Sequence, residues 1–181
     1  LSSPSDNEQN VTLDANLTWS AVQGAEQYRI QISEYSDFSD LIQNITQNTL
    51  SFSLSNINPE YNTKYYWRVR AIRGEENGPW SGRNFTTILL PLVAPTLTEP
   101  ADNALKVMTD AILKWNEVEE ADSYLLQISK FSNFSIFDYN SEIGNNTEFS
   151  LSSLELNFNT KYYWRVRALR DAETGPFSSS R

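Results

Sequence analysis

The chain of 181 residues contains no cysteine and no histidine. That double absence removes disulfides, thiolate nucleophiles, imidazole bases and the usual zinc ligands together. No cofactor and no metal site is expected, and the fold must be held by its core without covalent staples. A lack of cysteine does not by itself assign a compartment. Basic residues are also few: 14 Lys and Arg stand against 23 Asp and Glu, a formal net charge of −9. Such a surface repels phosphate backbones and anionic lipid, so nucleic acid is not an expected partner. The acidic balance serves solubility first. No stretch reaches the roughly 18 apolar residues of a membrane-crossing helix, so membrane insertion is not expected. The first residue is Leu rather than Met and no leader is visible, which reads as a segment of a longer protein.

What the chain does have is aromatics and repetition. Trp, Tyr and Phe make up 13% of it, and flat rings suit a pleated, half-buried surface. Leu17-Thr18-Trp19 returns as Leu113-Lys114-Trp115, an offset of 96 residues. Ala25, Tyr28, Gln31-Ile32-Ser33 and Phe38-Ser39 return at the same offset. Asn62–Ala71 then returns unchanged as Asn159–Ala168, an offset of 97, so one residue is inserted between Phe38 and Phe52. Gly78-Pro79-Trp80-Ser81 matches Gly175-Pro176-Phe177-Ser178. Solenoid units repeat at about 20–50 residues, so this period is that of a whole small domain.

The reading is two domains, residues 1–88 and 94–181, joined by a short apolar linker at 89–93. Leu97–Pro100 aligns with Leu1–Pro4, while Asn84–Thr87 has no counterpart after Arg181. The first strand of one domain and the last strand of the other therefore read as truncated.

Within each half the hydrophobic period is 2. Leu17 and Trp19 flank Thr18. Tyr28, Ile30 and Ile32 alternate with Arg29 and Gln31. Tyr65, Trp67, Val69 and Ala71 alternate with Tyr66, Arg68 and Arg70. This pattern predicts strands with one buried and one wet face. Turn signals at Gln23-Gly24, Asn58-Pro59 and Gly74–Pro79 separate them. The fold class expected is all-β, two tandem seven-stranded immunoglobulin-like sandwiches.

Fibronectin type III modules carry a Trp on the second strand, a Tyr on the third and a sixth strand of the form T-x-Y-x-[FW]-R-V-x-A. Trp19, Tyr28 and Thr63–Ala71 supply that set once, and Trp115, Tyr124 and Thr160–Ala168 supply it again. Each half therefore resembles that family over nearly its whole length. Pro59, ahead of the sixth strand, is not repeated in the second half. The resemblance implies that Tyr65 and Tyr162 are tyrosine corners, with buried rings and hydroxyls bonded to backbone in the preceding loop. It also implies a non-catalytic spacer or protein-interaction module of a larger secreted or cell-surface protein, monomeric, its partners being other domains of the same polypeptide. The alternative is an accessory carbohydrate-binding or adhesion module attached to a secreted enzyme, with a protein or glycan ligand.

Each candidate site has a plain structural reading beside it. Glu117, Glu119, Glu120 and Asp122 read as a solvated loop, since a glycosidase needs two carboxylates facing across a cleft. Arg73-Gly74-Glu75 sits where some family members carry an integrin tripeptide, but with Glu for Asp and Arg170-Asp171-Ala172 at the second position. Sequons at Asn10, Asn16, Asn44, Asn84, Asn133 and Asn145 accompany a high Asn content, and a bacterial origin explains both. Tyr66, Arg68, Arg70 and Trp80 are the binding candidates: an aromatic platform for a sugar, or a ladder of Arg stacked on rings. The ladder is favoured, because guanidinium planes would occupy the faces a sugar needs. No residue set reads as catalytic, so the chain is not expected to be an enzyme.

Leu89, Leu90, Leu92 and Val93 in the linker would expose apolar area worth about 25 cal/mol per Å² in water. Packing them between two sandwiches would give a semi-rigid rod. Small-angle scattering is expected to show one narrow, extended conformation. A broad distribution of bent shapes, unchanged by Ser at 90 and 92, rules the rod out.

Overall fold

A computed structural model describes all 181 residues. They form two compact units, Leu1–Leu90 and Pro91–Arg181. No helix in either is long and apolar enough to cross a membrane.

Unit 1 contains β1 (Glu8–Val11), β2 (Asn16–Thr18), β3 (Gln27–Ser33), β4 (Gln43–Gln47), β5 (Ser51–Ser53), β6 (Lys64–Arg73), β7 (Glu76–Asn77) and β8 (Ser81–Thr87). The large sheet has the order β1-β8-β6-β3-β4, with β7 pairing the far end of β6. The small sheet is β2-β5, extended by a bridge from Ser3 to Thr18. Gly78-Pro79 separates β7 from β8, because proline offers no donor to a ladder. In the β3/β6 register Ile30 lies opposite Val69 and Ile32 opposite Trp67. All four therefore point to one face. There they meet Leu17, Trp19 and Phe52 from the small-sheet side. Leu54, in a single 3-10 turn at Leu54–Ile57, is fully buried against the same cluster.

Unit 2 contains β9 (Leu97–Glu99), β10 (Ile112–Trp115), β11 (Ser123–Ser129), β12 (Tyr139–Glu142), β13 (Glu148–Ser150), β14 (Tyr163–Arg170) and β15 (Glu173–Phe177). Its sheets are β13-β10-β9 and β12-β11-β14-β15. Trp115, Tyr124, Leu126, Ile128, Trp164 and Val166 form its core. The repeat extends to backbone strain. Left-handed φ values occur at Asn7 and Asn103, Phe38 and Phe134, and Asn62 and Asn159. Gly24 at +79° has Glu120 at +63° as its counterpart, so unit 2 holds a side chain in a conformation that favours glycine.

Three features depart from the simple reading of the sequence. Gln31 and Gln127, assigned by alternation to the wet face, are buried; the reason lies in what covers them, described below. Leu92, read as linker, packs into the core of unit 2. Finally, β6 begins at Lys64 but β14 only at Tyr163. In unit 1, Lys64 and Tyr65 pair with Thr86 and Phe85 of β8, and β1 runs parallel to β8 beyond them. In unit 2, the last ladder contact is Arg181 with Trp164, and Leu105, Met108 and Phe158 stand exposed.

A buried Trp removes 150–250 Å² from water, roughly 4–6 kcal/mol of gross transfer energy. Trp19→Ala is therefore expected to destabilise unit 1 by about 3–5 kcal/mol. Exposed Lys64→Ala should cost under about 0.5 kcal/mol. Urea unfolding of both variants checks this; equal losses would contradict the facing assignment.

Candidate functional site

The binding candidates lie on the outer face of the large sheet, where register aligns them. Asn44 on β4 is opposite Gln31 on β3, Gln31 is opposite Arg68 on β6, and Arg68 is opposite Gly82 on β8. This row is bonded across the sheet. Arg68 Nε–H donates to Gln31 Oε1 at 2.8 Å, and Gln31 Nε2 donates to Asn44 Oδ1 at 3.4 Å. Arg29 Nε–H also donates to Asn44 Oδ1, at 2.8 Å. The Arg68 guanidinium stacks on Phe38 at 4.0 Å and on Trp80 at 4.6 Å from the ring centroids. Arg70 stacks on the same Trp80 ring at 4.7 Å, and Lys64 Nζ lies 5.3 Å over Tyr66. Burial first, and then the like charge of Arg70, lowers the Arg68 pKa from its ordinary value.

Phe38 reaches Arg68 because of the β3–β4 loop. Ser33 Oγ, fully buried, accepts from Tyr35 N–H at 3.0 Å and donates to the Asp40 carbonyl. Asp37 Oδ1 accepts from Ser39 N–H at 2.9 Å, and Ser39 holds the Asp37 carboxyl below its usual pKa. Between them Phe38 takes φ +58°, a conformation a bulky residue rarely adopts. The turn thus presents the ring to the guanidinium.

Unit 2 builds the same arrangement. Arg165 Nε–H donates to Gln127 Oε1 at 2.7 Å, and Gln127 Nε2 donates to Asn140 Oδ1 at 3.1 Å. Arg165 stacks on Phe134 at 4.1 Å and Phe177 at 4.0 Å, and Arg167 on Phe177 at 4.8 Å. Lys161 covers Tyr163 at 4.8 Å. Trp80 has become Phe177 without loss of the stack. The ladder explains the buried glutamines: each lies beneath an arginine and a loop phenylalanine and bonds sideways to both neighbouring strands. The sequence named Tyr66, Arg68, Arg70 and Trp80 but missed Gln31 and Phe38. The repeated Gln-Ile-Ser and Phe-Ser pairs were the available signal.

The other candidates also find structural roles. Tyr65 OH accepts from Glu60 N–H at 2.9 Å and Tyr162 OH from Asn157 N–H at 3.0 Å, as a tyrosine corner requires. A second pair was not anticipated: Tyr28 OH accepts from Val22 N–H and Tyr124 OH from Val118 N–H, both at 2.9 Å. In the acidic loop of unit 2 the four carboxylates do not converge. Asp122 instead accepts from Asp171 N–H at 3.0 Å, capping the β14–β15 turn, as Glu26 accepts from Gly74 N–H at 3.1 Å in unit 1. Arg73 of the Arg73-Gly74-Glu75 triplet pairs with Glu76 at 2.6 Å across its own hairpin, and Arg170 pairs with Glu173 at the same distance. Among the sequons, Asn84 Nδ2 donates to Asp6 and Asn44 belongs to the ladder.

No protein-family model and no curated protein sequence matches the chain. Among solved structures it is similar to a two-domain fibronectin type III segment of chicken tenascin. That alignment has a TM-score of 0.47 at 14% identity and covers 95% of this chain and 92% of that one. It is also similar to the FN1–FN3 domains of chicken CNTN1, with a TM-score of 0.40 at 15% identity and 98% of this chain covered. The chain spans 64% of that second segment.

Burial raises the Tyr65 pKa from its ordinary value, and the hydrogen bond from Glu60 opposes this only in part. The phenol therefore contributes stability that is complete below an unfolded-state pKa of about 10 and is lost as pH rises through the folded value. Between pH 9 and 11.5 the native chain is expected to lose more stability to chemical denaturant than Tyr65→Phe does. Equal losses in the two proteins would show that Tyr65 does not titrate differently on folding.

Proposed function

We propose that the chain is a non-catalytic spacer or presentation module of a larger secreted or surface protein, whose partners are neighbouring domains of the same polypeptide. One observation carries this reading. The side chains that a binding platform would need (Tyr66, Arg68, Arg70 and Trp80) are engaged with one another, with Lys64 and with Gln31. Their counterparts in unit 2 are engaged in the same way. A sugar ring stacks on an open aromatic face, and here cations stand on those faces. Each contact is worth about 0.5–1 kcal/mol where exposed and more where desolvated, so a ligand would have to displace several of them together. A sheet armoured on its outer side suits an element that holds distance.

The accessory carbohydrate-binding reading is the competitor, and one experiment separates the two. A glycan array followed by amide NMR titration with the strongest oligosaccharide is expected to leave the resonances of Tyr66, Arg68 and Trp80 unmoved. Saturable shifts there, abolished by Trp80→Ala, would overturn the spacer reading.

A further inference from the structure

Unit 1 carries an apolar pocket of about 300 Å³ whose walls include Leu1, Trp19, Val22, Tyr28, Val69 and Gly78. Unit 2 has the same residues at the equivalent places: Leu97, Trp115, Val118, Tyr124, Val166 and Gly175. There the space is filled. Val22 is 54% exposed and Val118 only 4%. Leu97 is buried where Leu1 is half-buried, and Ala168 is buried where Ala71 is half-buried. The difference is Leu92. Its side chain is 5% exposed and packed in the core cluster with Trp115, Val118 and Tyr124. A Cβ added at Gly175 would lie 3.0 Å from Leu92 Cβ, so the glycine is what admits the leucine. At Gly78 an added Cβ would meet only Ala71.

We infer that the unit 1 pocket is a receptor for a leucine side chain carried on an extended polypeptide segment of the Pro91–Thr96 type, with a proline three residues after the leucine. The fit to a polypeptide, as opposed to a free apolar solute, rests on what accompanies Leu92. Pro95 is buried with it. Asn116 N–H donates to the Thr96 carbonyl at 2.8 Å, so the plug is also bonded through its main chain. The counterpart of Asn116 is Ser20, and Ser20 lies on the wall of the unit 1 pocket with its backbone turned to no carbonyl of this kind. The pocket therefore offers both halves of what unit 2 uses: an apolar hollow lined by the counterparts of the residues around Leu92, and a main-chain donor on its rim.

The inference does not rest on the spacer reading, which rests on the ladder; Arg70 is shared by the ladder and the pocket wall, and the readouts are taken at other residues. The sequence Pro-Leu-Val-Ala-Pro-Thr is fused ahead of Leu1 of the full chain, reproducing the spacing of Pro91–Thr96 to Leu97. A second fusion carries Ser in place of its Leu. The Leu fusion is expected to slow hydrogen exchange at Ser20 by about tenfold or more. It should also raise the melting temperature of unit 1 by roughly 5 °C. The Ser fusion should do neither. Because a fusion can perturb folding, the synthetic peptide Leu-Pro-Leu-Val-Ala-Pro-Thr is also titrated into the unmodified chain, with amide shifts at Val22, Val69 and Gly78 as the readout. Saturable shifts at those three residues support the inference. Equal protection by both fusions overturns it. So does a pocket that takes up a small apolar probe such as xenon while Ser20 exchange stays unchanged in the Leu fusion.

Discussion

Trp19 follows a strand of the small sheet, yet its ring lies 5.9 Å from Tyr28 and 6.5 Å from Trp67, both on the large sheet. Trp115 repeats the contact at 5.6 Å from Tyr124 and 6.3 Å from Trp164. In a chain without disulfides, this three-ring cluster is what couples one layer to the other. The indole nitrogens of Trp19, Trp67 and Trp115 are buried without a hydrogen-bond partner. An unsatisfied donor costs about 1–3 kcal/mol, so the rings hold by packing in spite of their polar atoms. The phenol of the cluster is treated differently. Tyr28 and Tyr124 carry their hydroxyls to the edge of the core, where each accepts a backbone N–H from the loop after the Trp. The same residue therefore fills the core and fixes the loop above it.

Once the layers are locked, the outer face of the large sheet still needs cover. A three-residue β2 and β5 cannot shelter it, since they lie on the inner side. The ladder does this work with charged side chains. Arginine donates its Nε–H to a buried glutamine, and a ring from the β3–β4 loop stacks on the guanidinium, as the ring from the β11–β12 loop does in unit 2. The polar atoms in this layer bond along the sheet, from Arg68 to Gln31 to Asn44, so burying Gln31 leaves its amide with a donor and an acceptor.

How much of this was legible depends on whether period or loop geometry decided it. Trp19, Tyr28, Tyr65, Trp67 and Val69 were legible as core because alternation is a period-2 property of the strand itself. The hydroxyl of Tyr65 was legible only through a family resemblance. Gln31 was misread because alternation reports which face a residue is on, and says nothing of whether that face is covered. Its cover comes from Phe38, whose approach depends on a left-handed residue in a loop with no glycine to announce it. Leu92 was misread for a related reason. An apolar residue between two prolines reads as linker, and only its place in the cluster with Trp115, Val118 and Tyr124 shows that it belongs to a core. The ladder was legible in part: the alternating Tyr66, Arg68 and Arg70 opposite Trp80 named its inner half, and the loop that completes it was not visible.

The two units also serve as controls for each other. Their central residues are equally buried in both: Trp19 and Trp115, Tyr28 and Tyr124, Trp67 and Trp164, Val69 and Val166. Exposure diverges around them, in mid-strand at Phe52 against Phe149 and toward the ends. Val22 is open where Val118 is closed, because Leu92 seals the second unit alone. At the opposite side of the comparison, Phe85 is buried beside Tyr65 at 5.7 Å, while Tyr162 is half-buried and Phe158 is 85% exposed. A core that stays the same while its end cover changes does not depend on that cover for its arrangement. The cross-layer rings and the ladder are present in both units. Changes in that cover can therefore leave in place the cross-layer rings of the same 96- to 97-residue repeat.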